Sequence, residues 1–361
     1  MARDFAAWRG SPLSAEQLFA RGEDHPQSAS SMAERPHPGR NAAGTEREAG
    51  QHGTRRTRSA GYYTVFGYLA VMWFNFWLYL STAVIFACCI LLLAPFGVWP
   101  PRAQGAARRC CLLACGLWWR LPFKLSPWIR VHRQGFEHFT ELGASGRKCM
   151  ILGNHVSFLD TLLFAANAPL HLLPMFATLV SSNLFKLPML GTIMRSVGHI
   201  SVPYSNHADG GNFSLEASQR EHMKQRINAH LASGGWICMY PEGQIHRGNA
   251  NGNGSLQTAD LQTFRAGGMS FMLDHDMEVW GWVTRGNNDS WPRTGQGGHP
   301  ANISIKVFPI AQEGAAGKLQ ALQATQQGVT EDAAPAASSI LFAKHAQRMM
   351  QEELDALYRE R

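Results

Sequence analysis

The stretch Met150-Ile151-Leu152-Gly153-Asn154-His155-Val156-Ser157-Phe158-Leu159-Asp160 runs from a short apolar segment through a polar turn into a helical pattern. Further short apolar runs at 200–202, 236–240, 279–283 and 303–308 are separated by helix-like stretches such as 214–231. Strands alternating with helices imply an α/β fold, a largely parallel central sheet flanked by helices. The polar turn also carries chemistry. His155 and Asp160 are five residues apart, about 500° on a regular helix, which separates their side chains. They meet only if His155 lies in the turn before the helix. With Ser157 as N-cap, Asp160 stands at the third helical position and can reach back. A carboxylate on one imidazole nitrogen fixes the tautomer and leaves the other nitrogen to take a proton, the arrangement of a general base. The same spacing is also that of a capping box, a purely structural device.

Outward toward the N-terminus, no Asp, Glu, Lys or Arg occurs between Arg58 and Arg102. That exceeds the ~18–20 residues that cross a bilayer and excludes a purely soluble protein. The segment 61–101 reads as an N-terminal membrane anchor, either one long helix or a hairpin. Arg55, Arg56 and Arg58 before it are matched by Arg102, Arg108 and Arg109 after it, a balance that favours a hairpin or a monotopic anchor, where Asn75 would also be less awkward. Residues 102–128 interleave Arg108, Arg109, Arg120 and Lys124 with Leu and Trp. They suit a helix in the lipid headgroup layer, or equally an amphipathic helix packed on the following domain. Residues 1–60 read as a disordered tail; arginine without lysine there makes a transit peptide the alternative, against which stand acidic residues that such peptides usually lack. The α/β domain then occupies 129–312. A linker and a closing helix fill 313–361, the linker over 314–335. The Gly- and Asn-rich run 248–254 is a surface loop with no chemistry assigned.

The chain has 361 residues, a net charge of +7 and only 16% charged residues. Positive charge suits anionic lipid or an anionic substrate, while the absence of a basic run or recognition motif argues against a nucleic-acid partner. Seven cysteines lack any Cys-x-x-Cys spacing, and there is no His-Glu-x-x-His, so neither a disulfide framework nor a metal site is expected. Cys110, Cys111 and Cys115 read as packing residues, with palmitoylation as the alternative. No Gly-x-Ser-x-Gly elbow suggests a covalent acyl-enzyme. At the end of the 236–240 run stands Tyr240-Pro241-Glu242-Gly243. Pro and Gly there signal a turn, and Glu242 is either a solvated loop residue or a carboxylate aimed at the carboxyl edge of the sheet, where open sheets bind ligands.

Taken in order, these motifs resemble the glycerolipid acyltransferases typified by lysophosphatidic acid acyltransferase. Asn154, His155 and Asp160 match the first block of that family. Phe185-Lys186-Leu187-Pro188-Met189-Leu190-Gly191 is similar to a stretch between the family's first and second blocks, and Gly198-His199-Ile200-Ser201-Val202 to the second block itself. Tyr240-Pro241-Glu242-Gly243 resembles the third block, and Phe264-Arg265-Ala266-Gly267 the short motif after it. The resemblance covers about residues 130–285. It implies a membrane-bound enzyme that moves a fatty acyl group from acyl-CoA, a co-substrate, to the sn-2 hydroxyl of lysophosphatidic acid, with no cofactor and no metal. His155 and Asp160 would be catalytic. Asn154, Pro241, Glu242, Gly243, Arg247 and Arg265 would bind substrate. Membrane lipids, the lysophospholipid acceptor and acyl-CoA would be the partners, at the cytosolic face of the endoplasmic reticulum or of a bacterial inner membrane. The chain departs from the family pattern at three basic positions, which are here Tyr204, Gln244-Ile245-His246 and Ser181. Lys186, Arg195, Arg247 and Arg265 are nearby cations that could substitute. The alternatives are another acceptor, such as glycerol 3-phosphate or a different lysophospholipid, an inactive lipid-binding protein, and a hydrolase that uses the same base on water.

Overall fold

In the computed structural model, residues 65–93, 101–202, 217–245, 260–292, 295–325 and 335–360 are described. The tail at 1–60, Tyr204, His246, Arg247 and the loop 248–254 lie outside them. Every residue of β2 (Cys149–Gly153) is buried. Cys149 and Ile151 enter one core while Met150 and Leu152 enter the other, the alternation a strand imposes when it is covered on both faces. The same division sends Trp236 and Cys238 of β5 (Trp236–Met239) to the first core and Ile237 and Met239 to the second. In β6 (Glu278–Arg285), Trp280 and Trp282 face the first core, Val279 and Val283 the second.

With β1 (Ile129–Gln134), β3 (Phe176–Ser181), β4 (Ile200–Val202) and β7 (Ala301–Ala311), these strands form a seven-stranded sheet in the order β1-β7-β6-β2-β5-β3-β4. All neighbours pair in parallel except β6 with β7. The sheet is therefore mixed and largely parallel, as the sequence predicts. Two strands carry no clear sequence signal of their own. β1 is an edge strand in which only Ile129 is buried, and β3 continues an apolar stretch that begins before it.

Helices cover both faces. On the first lie α1 (Val65–Leu93), α2 (Pro101–Trp118), α3 (Arg120–Lys124), α4 (Leu159–Asn167) and α5 (Leu190–Ser196). On the second lie α6 (Ala217–Ala232), α7 (Ser270–Asp274), α9 (Ala315–Thr325) and α10 (Pro335–Arg359), while the short α8 (Asn287–Ser290) follows β6. Phe342, Ala346, Met350, Leu354 and Leu357 of α10 recur at helical spacing and are all buried. The span expected to be a linker thus contains α9, whose first residue, Ala315, is buried while much of the rest is exposed. Its Ala, Gly and Gln composition offers no apolar period.

Within the apolar run, residues 65–93 form one continuous helix rather than a hairpin. α1 has 29 residues, about 43 Å at 1.5 Å per residue, and is long and apolar enough to cross a membrane. Only one stripe of it is buried, through Val71, Phe74, Leu78, Ser81, Ile85 and Cys89, while Phe66, Leu69, Met72, Phe76 and Tyr79 remain exposed. Asn75 lies in the buried stripe. Its amide donates to the Val71 carbonyl at 2.8 Å and to the Gly297 carbonyl at 2.7 Å.

One basic residue of α2 and one of α3 turn inward to the domain, while Arg109 and Lys124 stay exposed. Arg108 Nε donates to the Val197 carbonyl at 2.8 Å, at the end of α5. Arg120 donates to the Ala166 and Ala168 carbonyls at 2.8 and 2.6 Å, at the end of α4. Carbonyls at helix ends have no partner inside the helix and carry the negative end of its dipole, so both arginines act as caps. The packed-helix reading therefore holds for these two cations. Arg120→Met, which keeps the apolar stem and removes the donors, should lower unfolding free energy by about 1.5–3 kcal/mol in a urea titration in detergent.

Candidate active site

Three parallel strands, β5, β2 and β6, end side by side, and the loops leaving their carboxyl ends converge. β2 lies where the chain has gone to either side of the sheet, the kind of position that opens a crevice in α/β folds. Gly153 pairs with Trp282 at the last rung of β2 and β6. Asn154 continues the pairing with its side chain: Nδ2 donates to the Thr284 carbonyl at 2.9 Å, and Oδ1 accepts from the Thr284 backbone N–H at 2.8 Å and its hydroxyl at 3.1 Å. This locks the turn in which His155 sits.

α4 begins at Leu159, so His155 is outside the helix and Asp160 within its first turn. Asp160 Oδ2 stands 2.8 Å from His155 Nδ1 and also accepts the Val156 and Ser157 backbone N–H groups at 2.8 and 3.0 Å. Ser157 Oγ in turn accepts the Leu159 N–H at 3.2 Å. The reaching-back bond expected of a capping box and the His–Asp contact are thus made by the same carboxylate oxygen, although the helix has Phe158 rather than Ser157 at its N-cap. Asp160 is only 1% exposed, and its other oxygen accepts the Asn287 amide. A buried carboxylate with this many donors is held as an acceptor, which places the ring proton on Nδ1. Nε2 of a side chain 21% exposed is left as the nitrogen that can accept a proton.

Tyr240 stacks on the His155 ring, centroids 4.5 Å apart and planes 24° from parallel. Its hydroxyl lies 3.3 Å from Thr161 Oγ1, and burial holds the phenol well above its ordinary pKa, so it stays neutral. Gly153 makes room for this ring, since a Cβ there would come within 2.8 Å of it.

Glu242, expected at the acceptor site, is also 1% exposed and faces inward. Its oxygens accept the backbone N–H of His155 at 2.8 Å and of Gln262 at 3.2 Å. What it shapes directly is the turn carrying His155. Asn154 likewise has both amide ends engaged by Thr284. Pro241 accepts the Arg265 N–H at 2.9 Å, and Arg265 Nε donates to the Glu242 carbonyl at 3.2 Å. Gly243, at φ +72°, lets that guanidinium pack closely, with a Cβ 2.5 Å from Arg265 Nε. Among the other candidate cations, Lys186 Nζ donates to Asn183 at 3.3 Å and Arg195 to the Phe185 carbonyl at 2.8 Å, both on the exposed surface. Arg247 lies outside the described residues. No group of three or more potential metal ligands occurs among the described residues. Nothing in the local pattern singles out Tyr240, Thr284 or Asn287 for these contacts. The Gly286-Asn287-Asn288-Asp289 run signals a turn after an apolar strand, and nothing in it names Asp160 as a partner.

The sheet, the turn and the paired His and Asp lie within a stretch that matches a known domain family. Residues 130–283 match the family model described as Acyltransferase. Among solved structures, the chain is similar to the 1-acyl-sn-glycerophosphate (LPA) acyltransferase PlsC from Thermotoga maritima, at a TM-score of 0.55 and 14% identity over 81% of this chain and 97% of that one. No curated protein matches. The family match is thus to an acyltransferase domain over residues 130–283, and the likeness to PlsC is one of fold.

Burial pushes the Glu242 carboxyl up from its ordinary 4.5 to about 7; the two N–H bonds oppose that shift, and the Asp160 charge adds to it. An acid with a raised folded pKa binds more protons folded than unfolded. This contribution to stability therefore falls as pH rises from about 4.5 to about 7 and is flat above that. In melting curves across that range, Glu242→Gln should lack this component, so the variant gains on wild type as pH rises. A difference in melting temperature that is constant with pH would show that Glu242 does not titrate there.

Proposed function

We propose that the protein transfers a fatty acyl group from acyl-CoA to the sn-2 hydroxyl of lysophosphatidic acid, giving phosphatidic acid and free CoA, at a membrane surface. The observation that carries this reading is the 2.8 Å contact between His155 Nδ1 and the buried Asp160 carboxylate, in a domain of acyltransferase type. Nε2 of His155 removes the hydroxyl proton as the oxygen attacks the thioester carbonyl. Asp160 orients the ring and stabilises the imidazolium, as the carboxylate does in hydrolytic triads, with no serine between. When the C–S bond breaks, the proton passes from His155 to the departing thiolate. Tyr240 limits rotation of the ring, and Glu242 fixes the backbone beneath it. Arg265 supplies positive charge beside Glu242 for the acceptor's phosphate, and Arg247 is a second candidate cation by sequence.

Membrane association rests on α1, whose exposed face is a continuous set of Phe, Leu, Met and Tyr side chains. Both substrates carry acyl chains, so a domain held against lipid meets them where they reside. A second acceptor class is favoured by one observation: Tyr204 and Gln244-Ile245-His246 stand where the family carries basic residues. Another lysophospholipid or glycerol 3-phosphate is then the acceptor, with the same base.

Membranes containing wild type or His155→Ala, given labelled acyl-CoA and a panel of acceptors, separate these readings. Phosphatidic acid should form with wild type and fall by about 10²–10⁴-fold in the variant. A variant-sensitive product from a different acceptor only would replace lysophosphatidic acid and keep the base. Full activity in His155→Ala would end the general-base assignment.

A further inference from the structure

Asn287 opens α8 just beyond β6 and is completely buried. Its amide nitrogen donates twice, to Asp160 Oδ1 and to Thr284 Oγ1 at 3.0 Å. The His155 ring and the Val156 and Ser157 N–H groups all converge on Oδ2 of the same carboxylate. Among the described residues, Asn287 is therefore the partner of Oδ1. The orientation of its amide follows from charge, because an amide oxygen turned toward a carboxylate would oppose two acceptors. Thr284 accepts from Asn287 and gives its own hydroxyl proton to Asn154 Oδ1 at 3.1 Å. A chain of bonds thus runs Asn154, Thr284, Asn287, Asp160, His155 across the ends of β2 and β6. Gly286, at φ +80° and with no room for a Cβ against the Asn302 carbonyl, turns the chain so that Asn287 arrives there.

We infer that Asn287 is a positioning residue for acyl transfer: it holds the plane of the Asp160 carboxylate so that Oδ2 stays on His155 Nδ1. The inference rests on the general-base reading of His155. Without the amide, a buried carboxylate oxygen loses its partner. The carboxylate then rotates toward the N–H groups or takes a proton. Either response weakens the imidazolium that forms as the hydroxyl is deprotonated. The loss falls on kcat, since Asn287 touches no substrate.

The test compares kcat, KM and their pH dependence for wild type, Asn287→Leu, Asn287→Asp and His155→Ala in detergent-solubilised full chain. Asn287→Leu should lose about 10²-fold in kcat at every pH with acceptor KM little changed. Asn287→Asp is nearly isosteric. Protonated, its carboxyl donates to Asp160 as the amide does; ionised, it repels Asp160. Its kcat relative to wild type should be highest at acidic pH and fall at least tenfold by alkaline pH. An Asp/wild-type ratio that is constant with pH, or wild-type kcat in both folded variants, would overturn the inference. If Asn287→Leu does not fold, the pH dependence of the Asp variant decides alone. His155→Ala keeps the two readings apart. Full activity there sinks the base assignment and this inference with it. An inactive His155→Ala beside unaffected Asn287 variants sinks the inference only.

Discussion

A carboxylate taken out of water at the carboxyl edge of a sheet has to be given hydrogen-bond donors, and the geometry around Asp160 follows from that need. Three donors come from its own turn and one from the chain beyond β6. The loops after β2 and β6 can meet there only because the two strands are paired in register as far as Gly153 and Trp282. Asn154 then extends the ladder by one side chain. A second buried carboxylate, Glu242, arrives from β5 and ties down the His155 backbone from the other side. The histidine is thus held through its ring by one acid, through its peptide by another, and across its face by the Tyr240 ring.

The elements most legible in the sequence are those whose local pattern and tertiary role coincide. β2, β5 and β6 are buried on both faces, so their central residues are apolar, with Glu278, Thr284 and Arg285 only at the ends of β6, and α10 shows its stripe directly. β1 carries Arg130, His132 and Arg133 because an edge strand needs few apolar side chains, and its amphipathic trace is too short to stand out. α9 is fixed mainly at its N-terminal end and shows no period. The sequence of α1 leans toward a hairpin because Asn75 is awkward in lipid and the flanking arginines balance. In the fold, Asn75 faces protein, and Arg108 caps α5, so neither feature reports topology.

The site is legible to a similar degree and for a similar reason. His155 and Asp160 lie close in sequence, and helix geometry alone says when they can meet. In the structure one Asp160 oxygen serves the backbone and the His155 ring together, so the local backbone role and the pairing do not compete. Glu242 is legible as an important carboxylate, but its inward direction depends on where Gln262 and the His155 peptide lie. Asn287 is 127 residues from its partner, and only the pairing of β6 with β2 brings it there.

The hydrogen bond from Asn75 to Gly297 makes the apolar helix specific rather than generic. Gly298 is next in the chain; its carbonyl accepts the Trp128 indole, and its α-carbon packs against Phe74. The same segment leads back through Trp291, whose carbonyl accepts the Ser157 hydroxyl, to the turn that holds His155. A helix of equal length and hydrophobicity taken from another protein would offer lipid the same kind of surface, yet it would dock with no fixed rotation or depth. The apolar helix and the turn that holds His155 are therefore one connected unit, not interchangeable modules.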